Sequence, residues 1–381
     1  MKKIVIAVDS FKGSVSSAQV AHSVEAGIKS VFPDCHVEKA SIADGGEGSA
    51  ETLIDTLKGE YREVYVNDPL MRPIKARYGM IDDGKTAVIE MAAASGITLL
   101  TAEQRNPMKT TTYGTGEMIR HALKSGCRHF LICIGGSATN DGGTGMLQAL
   151  GFRFLDKKGS ELGQGAEILS QIESIDTSNV TPELSQAQFK IACDVTNPFS
   201  GTSGAAFVYA PQKGADADMV KTLDAGLKHF ADTIRIFNGK DIDSLPGAGA
   251  AGGLGGGFIA FLNARLISGI EMILKAIDFD HLIMDADLII TGEGKLDAQT
   301  IMGKAPRGVL NAASKFGIPV VAIGGTVENA PELIAHGFAS VFSILQTPTT
   351  LQAAMGTDVA MENIRVSTIQ IMNVIKHCKQ C

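Results

Sequence analysis

The stretch "KIVIAVDSFKGS" covers residues 3–14 and joins an apolar run to a polar loop that contains glycine. Its first six residues are mostly β-branched or small and have the length of a buried strand. Residues 17–32 follow, with Val20, Val24 and Ile28 spaced to share one face of a helix. A strand that leads through a loop into a helix is the unit from which parallel sheets are built.

Similar alternations of strand and helix occur at both ends of the chain. Beyond the first strand, strands are predicted at 36–42, 61–66, 287–291, 319–325 and 340–345. Helices are predicted between these strands and over much of 350–376. Together the two ends supply six strands in two three-strand halves, as a doubly wound sheet requires. The predicted fold class is therefore α/β, with a discontinuous Rossmann-like, doubly wound parallel sheet domain and a second, inserted α/β domain.

The middle of the chain has a different sequence pattern and is predicted to form the inserted domain. "ARYGMIDDGKTAVIEM" at 76–91 is typical of an antiparallel hairpin that turns at 82–84. We expect 1–74 and 286–381 to form the Rossmann-like domain and 75–285 to form the inserted one.

Composition excludes several classes of protein. The chain has 381 residues with a net charge of −7, and no basic block stands out, so we expect no nucleic-acid partner. No apolar run reaches the length that spans a bilayer, so we expect no membrane association. Most of the six cysteines lie in apolar segments, which indicates reduced thiols and a cytoplasmic protein. Cys378 and Cys381, near His377, are interpreted as part of a frayed tail and not as a metal site.

Two motif matches lack the structural context that they need. "GMIDDGKT" at 79–86 fits a phosphate-binding loop, but a strand follows it and two aspartates lie inside it. "GAGAAG" at 247–252 fits a dinucleotide fingerprint, but no apolar strand precedes it. This second segment is consistent either with an anion-binding helix start or with close helix packing.

Polar loops follow the predicted strands of the Rossmann-like domain. Because the carboxyl ends of parallel strands meet at one edge, charged residues in these loops should gather there. The residues are Asp9, Lys12, Asp44, Glu47, Glu293, Lys295 and Asp297.

The inserted domain adds three comparable loops, which are "GGSATNDGG" at 135–143, "CDVTNPF" at 193–199 and the glycine-rich segment at 247–257. Asp141, Asp194 and Asn197 in these loops are oxygen ligands of the kind that hard cations prefer. The histidines are scattered, which disfavours a zinc site and a Ser-His-Asp triad. Carboxylates, lysines and glycine-rich backbone together favour phosphoryl transfer with a divalent cation.

Nine segments, in order along nearly the whole chain, resemble the type I glycerate kinase family. They are "DSFKGS", "IADGGEG", "VIEMAAASG", "GTGE", "IGGSATNDGG", "ACDVTNPF", "PQKGA", "PGAGAAGG" and "TGEGKLD". The resemblance implies ATP-dependent phosphorylation of D-glycerate with Mg²⁺, most often to 2-phosphoglycerate. It also implies an active site in the cleft between two domains. Relatives often carry Arg where this chain has Lys295.

On this basis each candidate residue receives a hypothetical role. Asp194 or Asp44 is the base for the glycerate hydroxyl, and Lys12 and Lys295 neutralise the transferring phosphoryl group. Asp9, Glu293 and Asp297 are the candidates for Mg²⁺. The substrate and phosphate contacts are Ser10, Gly45, Gly46, Gly135, Gly136, Ser137, Thr139, Asn140, Asp141, Asn197, Gly252, Gly253, Gly292 and Gly294.

Several alternatives stay open at this point. The product could be 3-phosphoglycerate, or the acceptor another small hydroxy acid. A non-catalytic metabolite sensor and a hydrolase with Ser137 as nucleophile are rival functions. We expect a monomer or a homodimer, and the sequence does not indicate which domain holds the nucleotide.

Overall fold

The computed structural model describes residues 1–42 and 48–378. The predicted site residues Asp44, Gly45, Gly46 and Glu47, and the terminal Cys381, lie outside the described residues.

The strands are, in chain order, β1 (Lys3–Val8), β2 (His36–Ser41), β3 (Glu60–Asn67), β4 (Pro73–Ile81), β5 (Thr86–Glu90), β6 (His129–Cys133), β7 (Arg153–Leu155), β8 (Ser174–Asp176), β9 (Gln188–Ala192), β10 (Arg265–Ile267), β11 (Leu288–Leu296), β12 (Val320–Val327) and β13 (Ser340–Ser343). The α-helices are α1 (Ser17–Val31), α2 (Ser49–Thr56), α3 (Ala92–Ser95), α4 (Tyr113–Lys124), α5 (Thr144–Ala149), α6 (Ala205–Tyr209), α7 (Ala217–Asn238), α8 (Ala250–Leu262), α9 (Gly269–Ala276), α10 (Phe279–Ile283), α11 (Ala305–Ser314), α12 (Ala330–Ala335), α13 (Leu351–Ala354) and α14 (Thr357–Cys378).

The first sheet has the strand order β13-β12-β11-β1-β2, and all of its neighbours pair in parallel. The order reverses between β1 and β11, which is the switch point of a doubly wound sheet. α1 begins at a capping box in which Ser16 and Gln19 satisfy each other's backbone N–H groups. Apolar residues of β1, including Ile4 and Ile6, are fully buried in the same hydrophobic core as the apolar face of α1. The predicted parallel α/β class is confirmed.

The predicted third strand of this sheet is wrong. β3 pairs antiparallel with β4, where Val64 lies opposite Ala76, so it belongs to the second sheet. Only residues 68–72 join the two strands, and the buried Asp68 accepts a hydrogen bond of 2.6 Å from Nε of Arg72 there. A connection this short can join only antiparallel neighbours, because a parallel crossover needs about a dozen residues or more.

The second sheet has the strand order β10-β9-β6-β5-β4-β3. β5, β6, β9 and β10 pair in parallel, and β3, β4 and β5 pair antiparallel. The predicted hairpin at 82–84 is confirmed, since Ile81 lies opposite Thr86 and all three turn residues have positive φ. This turn joins two strands, so the phosphate-loop match at 79–86 has no helix after it.

The chain divides into two compact units, one formed by Met1–Asp44 and Ile270–Cys381 and the other by Gly45–Gly269. α2 and β3 belong to the second of these units, and α2 packs on β4 and β5 of the second sheet. An added Cβ at Gly79 would lie 2.2 Å from Cγ1 of Ile54, so this helix sits directly on β4. Within the described residues, no helix combines the length and the apolar character that a bilayer crossing needs.

Candidate functional site

The switch point of the first sheet places Asp9 beside the end of β11. Its backbone N–H donates to the carbonyl of Gly292 over 2.9 Å, so the parallel ladder continues one residue beyond β1. The Asp9 side chain is buried, and its Oδ1 accepts the N–H of Ser10 over 2.6 Å. The polar loop after β1 is therefore held against the polar loop of β11, as the sequence predicts.

A cavity of about 640 Å³ opens at this edge of the first unit. Six of the predicted residues line it, and they are Asp9, Ser10, Lys12, Glu293, Gly294 and Lys295. The sequence therefore predicted correctly that these residues come together. Their individual roles stay predictions.

Glu293 is a buried charged group on this cavity, with 8 % of its surface exposed. Its Oε1 accepts a hydrogen bond of 2.6 Å from Oγ1 of Thr300, and its Oε2 lies 3.5 Å from Nζ of Lys304. Burial raises the pKa of Glu293, although Thr300 and Lys304 act in the opposite direction. Lys304 also lines the cavity and was missed, because the residue before α11 carries no local signal of a site.

Asp297 takes part in a turn close to Glu293, and its role as a metal ligand stays a prediction. Its Oδ1 accepts the N–H of Gln299 over 2.8 Å, and its Oδ2 lies 3.3 Å from Nζ of Lys295. Burial raises its pKa, but these two partners together hold the pKa below the ordinary value. Asp297 thus orders the turn that brings Thr300 to Glu293, and it is absent from the described lining of the cavity.

The carboxylates of Asp9 and Glu293 fit a Mg²⁺ ion that is bound together with a nucleotide. Among residues 1–42 and 48–378, no three His, Cys, Asp or Glu side chains are grouped to hold a metal by themselves. Mg²⁺ that carries substrate phosphates usually takes only one or two protein carboxylates. Asp9 and Glu293 supply two on one cavity wall.

Gly292 lies where two neighbouring strands approach closely, and its contact with phosphate stays a prediction. An added Cβ there would come within 2.3 Å of the carbonyl of Ile323 in β12. The residue lies in register with Val8 and Ile323 in the sheet. Glycine is needed here because neighbouring strands approach closely.

In the second unit, carboxylates stand at the ends of neighbouring parallel strands. Glu90 ends β5, Cys133 ends β6 in register with it, and Asp194 follows β9. Burial raises the pKa of the Cys133 thiol well above its ordinary value, and the charges of Glu90 and Asp194 add to this effect. Glu90 also accepts the N–H of Ala50 over 3.3 Å at the start of α2. Sequence reasoning missed Glu90, although it lies in the quoted segment "VIEMAAASG".

Asp194 is exposed, and its Oδ1 accepts the N–H of Gly269 over 3.0 Å. Asn197, three residues later, is hydrogen-bonded within the protein, and its contact with substrate stays a prediction. Its Nδ2 donates to the carbonyl of Ser203 over 2.8 Å, and its Oδ1 accepts the hydroxyl of Tyr209 over 2.6 Å. Both ends of its amide therefore hold the loop, while the Asp194 carboxylate faces solvent.

The loop after β6, residues 134–143, is built around Asp141, which is fully buried. Its carboxylate accepts hydrogen bonds from N–H and Oγ1 of Thr112 over 2.8 and 2.9 Å. The N–H groups of Gly143 and Gly145 also donate to it, over 3.1 and 3.3 Å. Burial raises the pKa of Asp141, while these donors act to lower it. Asp141 thus positions the loop, and its contact with metal or substrate stays a prediction.

Lys213 is a second buried charge at this loop, and it was not predicted. Only 2 % of its surface is exposed, and its Nζ donates to Oγ of Ser137 over 2.7 Å and to the carbonyl of Thr139 over 2.6 Å. Burial lowers its pKa to about 7, against the opposite effect of Asp141. The only signal in the sequence was its place in the quoted segment "PQKGA".

Polar groups of the same loop are buried without partners in the described part of the chain. They are Oγ1 of Thr139 and both amide atoms of Asn140. A buried polar group without a hydrogen bond costs roughly 1–3 kcal/mol. Gly135 and Gly136, at the start of the loop, are by contrast partly exposed and exposed. The predicted residues 135–140 thus stay candidates for contact with a polar ligand.

Gly252 and Gly253 pack closely against this loop and its surroundings, and their contact with phosphate stays a prediction. Both have positive φ, at 69° and 88°, and both are buried. An added Cβ at Gly252 would lie 2.0 Å from the carbonyl of Thr139, and one at Gly253 would lie 2.8 Å from Cε2 of Phe199. Close packing therefore accounts for glycine at these two positions, while anion binding by the segment stays a prediction.

The profile of the glycerate kinase family matches residues 4–376 of this chain. The chain belongs to the glycerate kinase family. Curated relatives include "Glycerate kinase" of Bacillus subtilis (strain 168), 48% identical over 92% of each chain. Another is "Glycerate 2-kinase" of Escherichia coli (strain K12), 46% identical over 92% of this chain and 93% of the relative.

A solved crystal structure supports the same assignment. It is that of a protein assigned as glycerate kinase 2 from Salmonella typhimurium LT2, with a TM-score of 0.89, 44% identity and complete coverage of both chains. The resemblance drawn from the nine sequence segments is thereby confirmed. Membership of the glycerate kinase family also favours an enzyme over the metabolite sensor and the serine hydrolase.

Proposed function

We propose that this glycerate kinase transfers the γ-phosphoryl group of ATP to the 2-hydroxyl of D-glycerate, with Mg²⁺. The observation that carries the proposal is the family match over residues 4–376. The choice of the 2-hydroxyl is supported by the Escherichia coli relative, which is named "Glycerate 2-kinase" and is 46% identical. A cytoplasmic location and a monomeric or homodimeric state stay predictions.

Asp194 is the proposed base. Its carboxylate is exposed at the carboxyl end of a parallel strand and is held by the N–H of Gly269. In that position it can accept the proton of the attacking hydroxyl. The loop at 135–140, braced by Lys213, is the proposed contact for the glycerate carboxylate, because it presents hydroxyl, amide and backbone donors.

Lys12 and Lys295 neutralise charge on the transferring phosphoryl group, and Lys304 joins them on the same cavity. Asp9 and Glu293 are the carboxylates that would hold Mg²⁺. When bound, that ion supplies electrostatic stabilisation of the phosphate oxygens.

The test is glycerate-dependent release of ADP by the wild type and by Asp194→Asn. The variant should lose kcat by a factor on the order of 10² or more, with a small change in KM for glycerate. Asp224→Asn is the matched control, because Asp224 also accepts one backbone N–H, from Gly201 over 2.7 Å. A near-normal kcat for Asp194→Asn would remove Asp194 from the role of base.

A further inference from the structure

We propose that the cavity of the first unit is the nucleoside site, where residues 344–355 receive the purine ring of ATP and the strand-end charges face its phosphates. The inference rests on the proposed function and adds where the nucleotide binds. The cavity measures about 640 Å³, within the range of roughly 300–1,000 Å³ that small-molecule pockets occupy.

One part of the lining is apolar and comes from the segment after β13. We call it the apolar wall, and it consists of Ile344, Leu345, Leu351, Ala354 and Met355. Leu345 is 36% exposed and Leu351 is 71% exposed, so apolar surface faces solvent here. A flat aromatic ring that covers these side chains would remove that surface from water.

Met355 ties the apolar wall to the loop after β1. Its Cε lies 3.0 Å from the position that a Cβ of Gly13 would take, and Gly13 has a φ of 79°. The hydroxyl of Thr357 donates to the carbonyl of Ser14 over 3.1 Å and joins the same two segments. The apolar wall and the polar loop thus border one space, as a ligand with an aromatic and an anionic part requires.

The other part of the lining carries the charges. Lys12, Lys295 and Lys304 supply three cationic groups, and Asp9 and Glu293 supply two carboxylates. Lysines suit phosphate oxygens, and the carboxylates suit the divalent cation that accompanies them. Nucleotides of doubly wound sheets bind at the switch point, which here lies between β1 and β11.

The first experiment measures KM for ATP, KM for D-glycerate and the Kd of Mg²⁺-ADP for two variants of the apolar wall. Leu351→Ser removes an exposed apolar contact, and Ala354→Phe fills the space for the ring. Both should raise KM for ATP and Kd for ADP about tenfold, with KM for glycerate unchanged. Val359→Ser is the control, because Val359 is 48% exposed on the same segment without being among the cavity residues, and it should behave as the wild type.

The second experiment is photolabelling with 8-azido-ATP and identification of the labelled peptide. Label on residues 344–360 supports the site, and label confined to residues 48–269 overturns it. The proposed site would also be overturned if both wall variants kept the wild-type KM for ATP and Kd for ADP. The absence of any ADP binding by the wild type would overturn it too.

The two failures can be told apart. If the wild type does not phosphorylate glycerate but Leu351→Ser still weakens ADP binding, the proposed function fails and the nucleoside site stands. If glycerate is phosphorylated and neither wall variant affects ATP, the function stands and this site is wrong.

Discussion

Nζ of Lys213 lies 2.7 Å from Oγ of Ser137, which joins two segments of the second unit that are 76 residues apart. The same ammonium reaches the carbonyl of Thr139, so one buried side chain braces the loop at 134–143. Its pKa is lowered to about 7 because the site is buried. A lysine with such a pKa changes its charge near neutral pH.

Lys213→Met should therefore change the pH dependence of stability. In the wild type the folded state releases this proton near pH 7, whereas the unfolded chain keeps it up to the ordinary value of 10.5. Since the unfolded state then binds more protons, raising the pH through this window favours the folded wild type. The free energy of unfolding of the wild type, relative to the variant, should rise from about pH 7 to about pH 9, as urea titrations can measure.

A difference that is flat over the same range would contradict a lowered pKa for Lys213. Lys221→Met is the control, because Lys221 lies on the surface of α7 with 71% of its side chain exposed. It should show no such rise in the free energy of unfolding.

Gly252→Ala should destabilise the second unit strongly. The new Cβ would lie 2.0 Å from the carbonyl of Thr139, so the backbone of the loop must move. We expect a loss of more than about 2 kcal/mol in the free energy of unfolding, together with reduced activity.

Gly239→Ala is the matched control for this prediction. Gly239 has a similar φ of 77°, but nothing lies within 4 Å of an added Cβ. Gly239→Ala should lose only about 1 kcal/mol in the free energy of unfolding, which is the cost of the backbone conformation alone. Equal losses for the two variants, measured by chemical denaturation, would show that contact with Thr139 has no effect.

Asp141→Asn should be destabilising although the side chain hardly changes in size. Oδ2 of Asp141 accepts from Thr112 and from Gly145, and an amide NH₂ in that position would face these donors. Loss of a buried, hydrogen-bonded charge predicts a loss of about 3 kcal/mol in the free energy of unfolding. Asp218→Asn, at a side chain that is 93% exposed, should stay within about 0.5 kcal/mol of the wild type.

Glu293→Gln should weaken the response to Mg²⁺ and alter the acid limb of the pH profile. Because burial raises the pKa of Glu293, its carboxylate takes up a proton at a higher pH than the ordinary 4.5. Activity of the wild type should thus fall, as the pH decreases, from a point above that value. The variant should lose roughly 10–100-fold in kcat/KM for ATP, and this limb should disappear.

The control for the last prediction is Glu362→Gln, which changes an exposed glutamate that pairs with Arg365. Its pH profile and Mg²⁺ dependence should match those of the wild type. An unchanged acid limb in Glu293→Gln would assign that ionisation to another group.

Local patterns in the sequence predicted most strands and the edge at which the first cavity lies. The strand at 3–8 follows from the length and the residue types of its apolar run. The gathering of Asp9 with Glu293 follows because the carboxyl ends of parallel strands meet at one edge of a sheet. The partner of β3 did not follow, because a β-branched run does not encode whether its neighbour is parallel. That information was in the short loop at 68–72 and its turn residue Asp68.

The buried contacts of the loop after β6 could not be predicted in the same way. Lys213 and Ser137 meet only in the folded chain, and a lysine in a sequence is more often exposed than buried. Asp141 was recognised as a site residue, but its complete burial against Thr112 depends on packing that no local pattern shows. Gly252 and Gly253 were singled out because their segment is rich in glycine, while the contacts that require glycine there are tertiary.

The most direct measurement is ³¹P NMR with proton coupling on a reaction of the wild type with ATP, Mg²⁺ and D-glycerate. We expect a new phosphomonoester signal that is split by the single proton on carbon 2, with matching formation of ADP. A signal split by the two protons on carbon 3 would contradict the choice of hydroxyl. Intact ATP, or loss of ATP to inorganic phosphate alone, would contradict the assignment of glycerate as the acceptor.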